Sequence, residues 1–361
     1  MWKGAVAVRP DSGSCGPSCP HAAAVVHSFG VRPRRSGSPR DRRVVFPTTG
    51  TAGACRRRDA VRLLGKHRVR SAISSGEFSS PWPGVLVDPA RAAEPSTVIA
   101  AGWLASGPDA VITGPTAAFM HGCTAAEPTP VHVIVPYSSK KRTRPGLVVH
   151  NGMALDRDRR LVSGLPVLCV ERVVTDLLCT AAPANALAIA DQVLSALPPN
   201  DRPALRDELH RRLRERPDPR GTRIGVRLLD LATGAAESPA ESWLLWRIVD
   251  LGFPVPEVNH WVCTIDSEPR YRVDLGWPEL KIAVEYYGYA AHAGREERDV
   301  ARILELERRG WIVIVVRADD LSSMHRVESE IGQAFITRGM PLRGRAAGGL
   351  RARRHRELRA G

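Results

Sequence analysis

The chain has 361 residues, 43% of them hydrophobic and 25% charged, with a formal net charge of +14. That length accommodates two domains and falls short of four. No apolar run approaches the ~20 residues of a membrane helix, and the opening "MWKGAVAVRPDSG" lacks a signal peptide's apolar stretch, so the expectation is a cytoplasmic protein without membrane association.

The excess charge sits in the tails. Residues 1–58 carry 11 Lys or Arg against 2 Asp or Glu, residues 341–361 carry 7 against 1, and the stretch between is close to neutral. Such tails grip phosphates without sequence preference. Only five of the 52 basic residues are Lys, so the richness in Arg, Ala, Gly and Pro also fits a GC-rich genome. Residues 1–55 and 341–361 show no sustained apolar period and read as disordered basic tails. Seven cysteines, an odd number without a CxxC pair, argue for reduced thiols. Cys15, Cys19 and His21 lack a second ligand pair and read as incidental rather than as zinc ligands.

Structure is predicted to begin near Arg56. "RDAVRLLG" makes a short amphipathic helix, "KHRVRSAISSG" a second one ended by Gly76, and "EFSSPWPGVLVD" turns through Pro81 and Pro83 into a strand. Helix, tight turn, helix and β-wing is the order of a winged helix-turn-helix, here residues 56–92, whose second helix offers Lys66, His67, Arg68 and Arg70 to a DNA groove. The same basic face also suits a solvated helix in a small packing module.

Residues 93–235 read as a small α/β and helical domain. "STVIAAGWLAS", capped by Ser96, is a helix, "AVIT" a strand, "GPTAAFMHGC" a helix, and "PVHVIVP" and "GLVVHNG" strands. His121 at a helix end reads as a dipole partner. From Pro166 to Thr233 apolar spacings of three and four predict helices, with Arg172 and Asp176 as a salt-bridged i, i+4 pair. The connector "TGAAESPA" marks the main boundary.

Residues 236–340 read as helix (240–251), three strands (258–264, 270–276, 281–287), helix (295–309), strand (311–316) and helix (326–337). Ser238 as N-cap, Pro239 at N1, Glu241 at N3 and Gly252 after the last turn punctuate the first helix. An antiparallel meander followed by a helical crossover into a parallel strand is α+β architecture.

Two acids lie inside that meander. Strand alternation puts Asp274 and Arg272 opposite Val273 and Leu275, and Glu285 with Tyr287 opposite Val284 and Tyr286. An even hairpin loop brings Asp274 and Glu285 onto one face, where two carboxylates can hold Mg²⁺ and activate water against a phosphodiester. A tight turn at Trp277-Pro278 would instead pair Asp274 with Lys281 as a plain ion pair and leave Glu285 about 13 Å along the strand. Sharing a metal then requires a longer loop or a bulged strand.

The segments "SPAESWLLWRI", "RVDLGWPELKIAVEYYG", the spaced His292, Asp299, Arg302 and Leu306, and "GWIVIVVRADDL" resemble the very-short-patch-repair-type (Vsr-like) endonucleases of the PD-(D/E)XK superfamily. The resemblance covers about residues 237–325. It implies a restriction-endonuclease-like α-β-β-β-α-β core, Asp274 and Glu285 as ligands of Mg²⁺ or Mn²⁺, Glu241 as a supporting acid, and His292 near the scissile phosphate. Glu241 is equally explained by the capping box S-x-x-E. At Tyr287 this superfamily normally has Lys or another polar residue.

"LGKHRVRSAISSGEFSSPWPGVLVD", "VITGPTAAFMHG", "VHVIVP" and "GLPVLCVERVVTDLL" resemble the AbiEi-type antitoxins of type IV toxin–antitoxin systems, over about residues 56–195. That resemblance implies a winged-helix repressor with double-stranded DNA and a cognate toxin as partners. Two functions follow: a Mg²⁺-dependent DNA endonuclease in repair or phage defence, or a noncatalytic antitoxin or transcriptional repressor that keeps a degenerate nuclease fold. Neither uses a small-molecule cofactor.

Overall fold

A computed structural model describes residues 52–263, 268–288, 296–340 and 342. Most of the two expected tails, Cys15, Cys19, His21 and the candidate His292 lie outside the described residues. The described residues all fall within one compact unit. It is mixed α/β, with eleven helices and three sheets among the described residues, in keeping with the expected α+β class. No described helix is long and apolar enough to cross a membrane.

A two-stranded ladder opens the fold. β1 (Ala54–Arg56) pairs antiparallel with β2 (Val85–Val87) and brackets α1 (Arg57–Leu64) and α2 (Lys66–Ser74). Only Gly65 separates the helices, at φ +84°, a conformation that favours glycine. Cys55, Ala60, Val69, Ala72, Phe78 and Leu86 form a small core of their own. The ordered chain thus begins before Arg56, and Ala54 and Cys55 belong to a strand rather than to a tail. Three residues give no period of their own, so only pairing with β2 reveals them.

A five-stranded sheet follows. It contains β3 (Val111–Ile112), β4 (Val131–Val135), β5 (Leu147–Asn151), β6 (Arg159–Val162) and β7 (Leu165–Leu168) in the order β5-β4-β3-β7-β6. α3 (Pro95–Ser106) starts with Pro95 at its first position, so Ser96 lies inside the helix instead of capping it. α4 (Gly114–Met120) follows β3, and His121 at its end hydrogen-bonds the Leu168 carbonyl (2.7 Å). The β6–β7 hairpin corrects the helical reading from Pro166. It turns at Ser163 (φ +50°) and Gly164 (φ +77°), as a two-residue hairpin turn requires. Helices resume only with α5 (Val170–Thr180), α6 (Pro183–Ser195), α7 (Arg202–Arg214) and α8 (Thr222–Leu231).

The last segment holds α9 (Pro239–Asp250), β8 (Glu257–Cys263), β9 (Pro269–Trp277), β10 (Ile282–Tyr287), α10 (Glu296–Arg308), β11 (Ile312–Arg317) and α11 (His325–Thr337). The sheet order is β11-β10-β9-β8. β8, β9 and β10 form an antiparallel meander, and β11 pairs parallel to β10 after the α10 crossover. One apolar cluster contains Leu187 and Leu194 of α6, Leu244 and Ile248 of α9, Val284, Ile314 and Phe335. The connector is clasped as well. Asp191, 1% exposed, accepts the Thr233 and Gly234 N–H groups (2.8 Å each) and the Ser242 hydroxyl (2.8 Å). A boundary at residue 236 therefore crosses a packed, hydrogen-bonded interface.

Candidate active site

The hairpin register decides where the two acids meet. β9 and β10 are joined by residues 278–281, with Lys281 left-handed at φ +48°, and the ladder pairs Trp277 with Ile282, Gly276 with Ala283 and Leu275 with Val284. Four connecting residues are an even number. Continued one step, the register sets Asp274 across from Glu285. The tight-turn register is overturned, and so is the Asp274–Lys281 ion pair: the Lys281 ammonium donates to the Arg309 carbonyl (3.3 Å).

Beyond Leu275 the ladder gives way to the Asp274 side chain, whose Oδ2 accepts the Tyr286 N–H (2.7 Å). Strict alternation also fails here. Val273 packs with Ala283, Leu306 and Trp311, while Leu275 packs with Val284 and Ile314. Residues two apart thus face opposite ways, and the swap is centred on Asp274. Across from it on β8, Asn259 sits at φ +54°, a region Asn tolerates better than most side chains. Its side-chain amide donates to the Ala235 carbonyl (2.6 Å) and to Glu241 Oε2 (3.0 Å).

Glu285 is 1% exposed. Arg302 of α10 donates Nη2–H to Glu285 Oε2 and Nη1–H to the Arg272 carbonyl (3.0 Å). Burial pushes the Asp274 carboxyl up to about 6. Glu285 is pushed up to about 8, by burial first and by the Asp274 charge second, with Arg302 pulling the other way. One guanidinium does not neutralise two buried acids. Glu285 Oε1, Arg302 Nε and the Tyr287 hydroxyl are all buried and lack a hydrogen-bond partner. Unsatisfied buried polar atoms each cost about 1–3 kcal/mol, and three of them share this site.

Glu241 has both oxygens committed. Oε1 accepts the Ser238 hydroxyl (2.8 Å), and Oε2 accepts the Glu237 N–H (2.8 Å) and the Asn259 amide. The Glu241 N–H donates to Ser238 Oγ (3.3 Å) as the N-cap bond, while the return bond of its carboxylate goes to the Glu237 N–H, one residue before the cap, so the expected capping box forms in a shifted version. Its charge still reaches Asp274 and contributes to that residue's upward shift. The structure thus brings Asp274, Glu285 and Glu241 together and adds Arg302. Arg302 went unassigned in the sequence, although its place one turn after Asp299 on the crossover helix was a usable signal. Among the described residues no group of three or more His, Cys, Asp or Glu is arranged to hold a metal.

Lys66, His67 and Arg70 are exposed on α2, whereas Arg68 is half-buried and pairs with Glu77 (3.1 Å). Arg172 and Asp176 pair as expected (2.6 Å). They belong to a network with Asp158, Arg212 and Arg216 beside a cavity of about 590 Å³. Those charges satisfy one another and staple α5 to α7.

No family model matches the chain. Two uncharacterized proteins of Mycobacterium tuberculosis, MT2308 of strain CDC 1551 and Rv2248 of strain H37Rv, are each 29% identical over 255 residues, covering 69% of this chain and 89% of theirs. The crystal structure of the RV2827C protein from Mycobacterium tuberculosis aligns with a TM-score of 0.36 at 17% identity, over 58% of this chain and 83% of that one.

Proposed function

We propose that the protein is a divalent-cation-dependent DNA endonuclease of the very-short-patch-repair type, with its site at Asp274 and Glu285. The observation that carries the reading is the under-neutralised acid pair with its orphaned Glu285 Oε1. Mg²⁺ is usually held by one or two carboxylates and completed by water, so two acids suffice without a third protein ligand. Asp274 and Glu285 would hold the ion, which when bound supplies positive charge and an activated water. The order α9-β8-β9-β10-α10-β11 agrees with a PD-(D/E)XK core. Asn259 and Ser238 keep Glu241 as a rigid buttress behind Asp274. The α1–α2 module with its β1–β2 ladder supports a winged-helix reading in which Lys66, His67 and Arg70 contact duplex DNA, with Arg68 held at the edge by Glu77.

Two observations favour a second reading, a noncatalytic repressor or antitoxin with a cognate toxin: Arg302 already occupies Glu285, and Tyr287 stands where a lysine is expected. Nicking of supercoiled plasmid in Mg²⁺ or Mn²⁺ separates the two. The nuclease reading expects Asp274→Asn and Glu285→Gln to lower nicking by orders of magnitude while duplex binding persists. Identical background nicking by wild type and Glu285→Ala across several DNA substrates leaves the repressor reading.

A further inference from the structure

The acid pair leaves two buried donors unexplained. The Arg302 Nε–H and the Tyr287 hydroxyl make no hydrogen bond of good geometry; the guanidinium lies beside the phenol, and both border Glu285. A guanidinium recruited only to neutralise Glu285 would be expected to close its fork on the carboxylate and use Nε as well. Here Arg302 reaches Glu285 through Nη2 alone and leans with Nη1 on the Arg272 backbone. Its side chain is 29% exposed and Tyr287 is half-buried, so both side chains reach toward the surface although the Nε–H and the hydroxyl themselves are buried.

We infer that Arg302 and Tyr287 form a phosphate-oxygen subsite, holding a nonbridging oxygen of the substrate phosphodiester beside Asp274 and Glu285. The inference rests on the nuclease reading and adds to it the groups that take the place of the lysine expected at position 287. A phenol can donate a hydrogen bond but brings no charge, whereas the guanidinium of α10 brings both. The formal charges support the pairing. Two carboxylates and one phosphodiester carry three negative charges, and a divalent cation with Arg302 supplies three positive ones. Without Arg302 the loaded site would keep an uncompensated negative charge beside the buried Glu285, which is costly. Donors fixed in advance toward an oxyanion are the arrangement that lowers barriers most.

Arg302→Ala would strand a buried carboxylate and risk the fold. The test therefore uses the full chain with Arg302→Lys, which keeps the charge and loses the fork, and Tyr287→Phe, which keeps the ring and loses the hydroxyl. Three quantities are compared with wild type: single-turnover nicking of plasmid, Mn²⁺ affinity by calorimetry, and binding of inorganic phosphate in Mg²⁺ followed by ³¹P line width. The expected result is a loss of about 100-fold in nicking rate for each variant, phosphate binding weakened about tenfold, and Mn²⁺ affinity within twofold of wild type. Phosphate binding lost in both variants of a protein that never nicks DNA keeps the subsite and discards the nuclease reading. Variants that nick within threefold of an active wild type, phosphate binding absent from wild type or unchanged in the variants, or Mn²⁺ affinity falling with the rate would each overturn the subsite.

Discussion

Asp191 is the most informative residue for the integrity of the fold, because a single carboxylate ties α6 to the connector and to α9. It accepts the Thr233 and Gly234 N–H groups and the Ser242 hydroxyl, all at 2.8 Å, while only 1% exposed. Asp191→Ala strands three donors. At about 1–3 kcal/mol for each buried group, reduced where water enters the vacated space, the loss is about 3–5 kcal/mol. Asp191→Asn keeps an acceptor for the two N–H groups, and the Ser242 hydroxyl can rotate to accept from the new amide. Its cost is within about 1 kcal/mol. Burial raises the Asp191 carboxyl above its ordinary value despite those hydrogen bonds. A raised carboxyl binds its proton more tightly when folded, so its contribution is fully present below the unfolded value of 3.8 and is lost as pH rises through the folded value. Wild type should therefore lose stability relative to Asp191→Asn as pH rises above about 4. Urea denaturation of the full chain, followed by tryptophan fluorescence at several pH values, reads these differences as shifts in midpoint. An Asp191→Ala protein within 0.5 kcal/mol of wild type, on the order of an ordinary surface change, would refute the clasp.

Three further expectations concern separate parts of the molecule. Glu241→Ala should cost about 1–3 kcal/mol, because the Glu237 N–H, the Ser238 hydroxyl and the Asn259 amide lose their acceptor; a loss of Mn²⁺ binding without loss of stability would make Glu241 a ligand instead. Replacing Lys66 and Arg70 together with Ala should weaken duplex binding and reduce the salt slope by about 2; unchanged affinity and slope would move DNA contact away from α2. A fragment of residues 236–340 should melt without cooperativity, since Leu244 and Ile248 share their core with Leu187 and Leu194; a sharp thermal transition would show that the interface with α6 is dispensable.

The C-terminal segment was legible because its signals are local and repeated. Ser238, Pro239 and Glu241 announce α9 at the positions where it begins, and the apolar run 311–316 matches β11 within a residue. Where pairing decides, the sequence falls silent. β1 is three residues long, and β6 carries exposed Arg159, Arg160 and Leu161, so neither shows the alternation of a half-buried strand. Both acids were visible as charges inside apolar strands, but their meeting depends on the length of the 278–281 connection, which fixes the register that sets Asp274 across from Glu285. Arg302 lies on a helix 17 residues beyond Glu285, so only the crossover reveals that it reaches the acid.

The most direct test of the central claim is a calorimetric titration of the full chain with Mn²⁺ in the absence of DNA. The account expects wild type to bind a single Mn²⁺, and Asp274→Asn and Glu285→Gln each to abolish the heat while keeping the wild-type melting transition. A wild-type titration without heat, or Glu285→Gln binding Mn²⁺ as tightly as wild type, would contradict it.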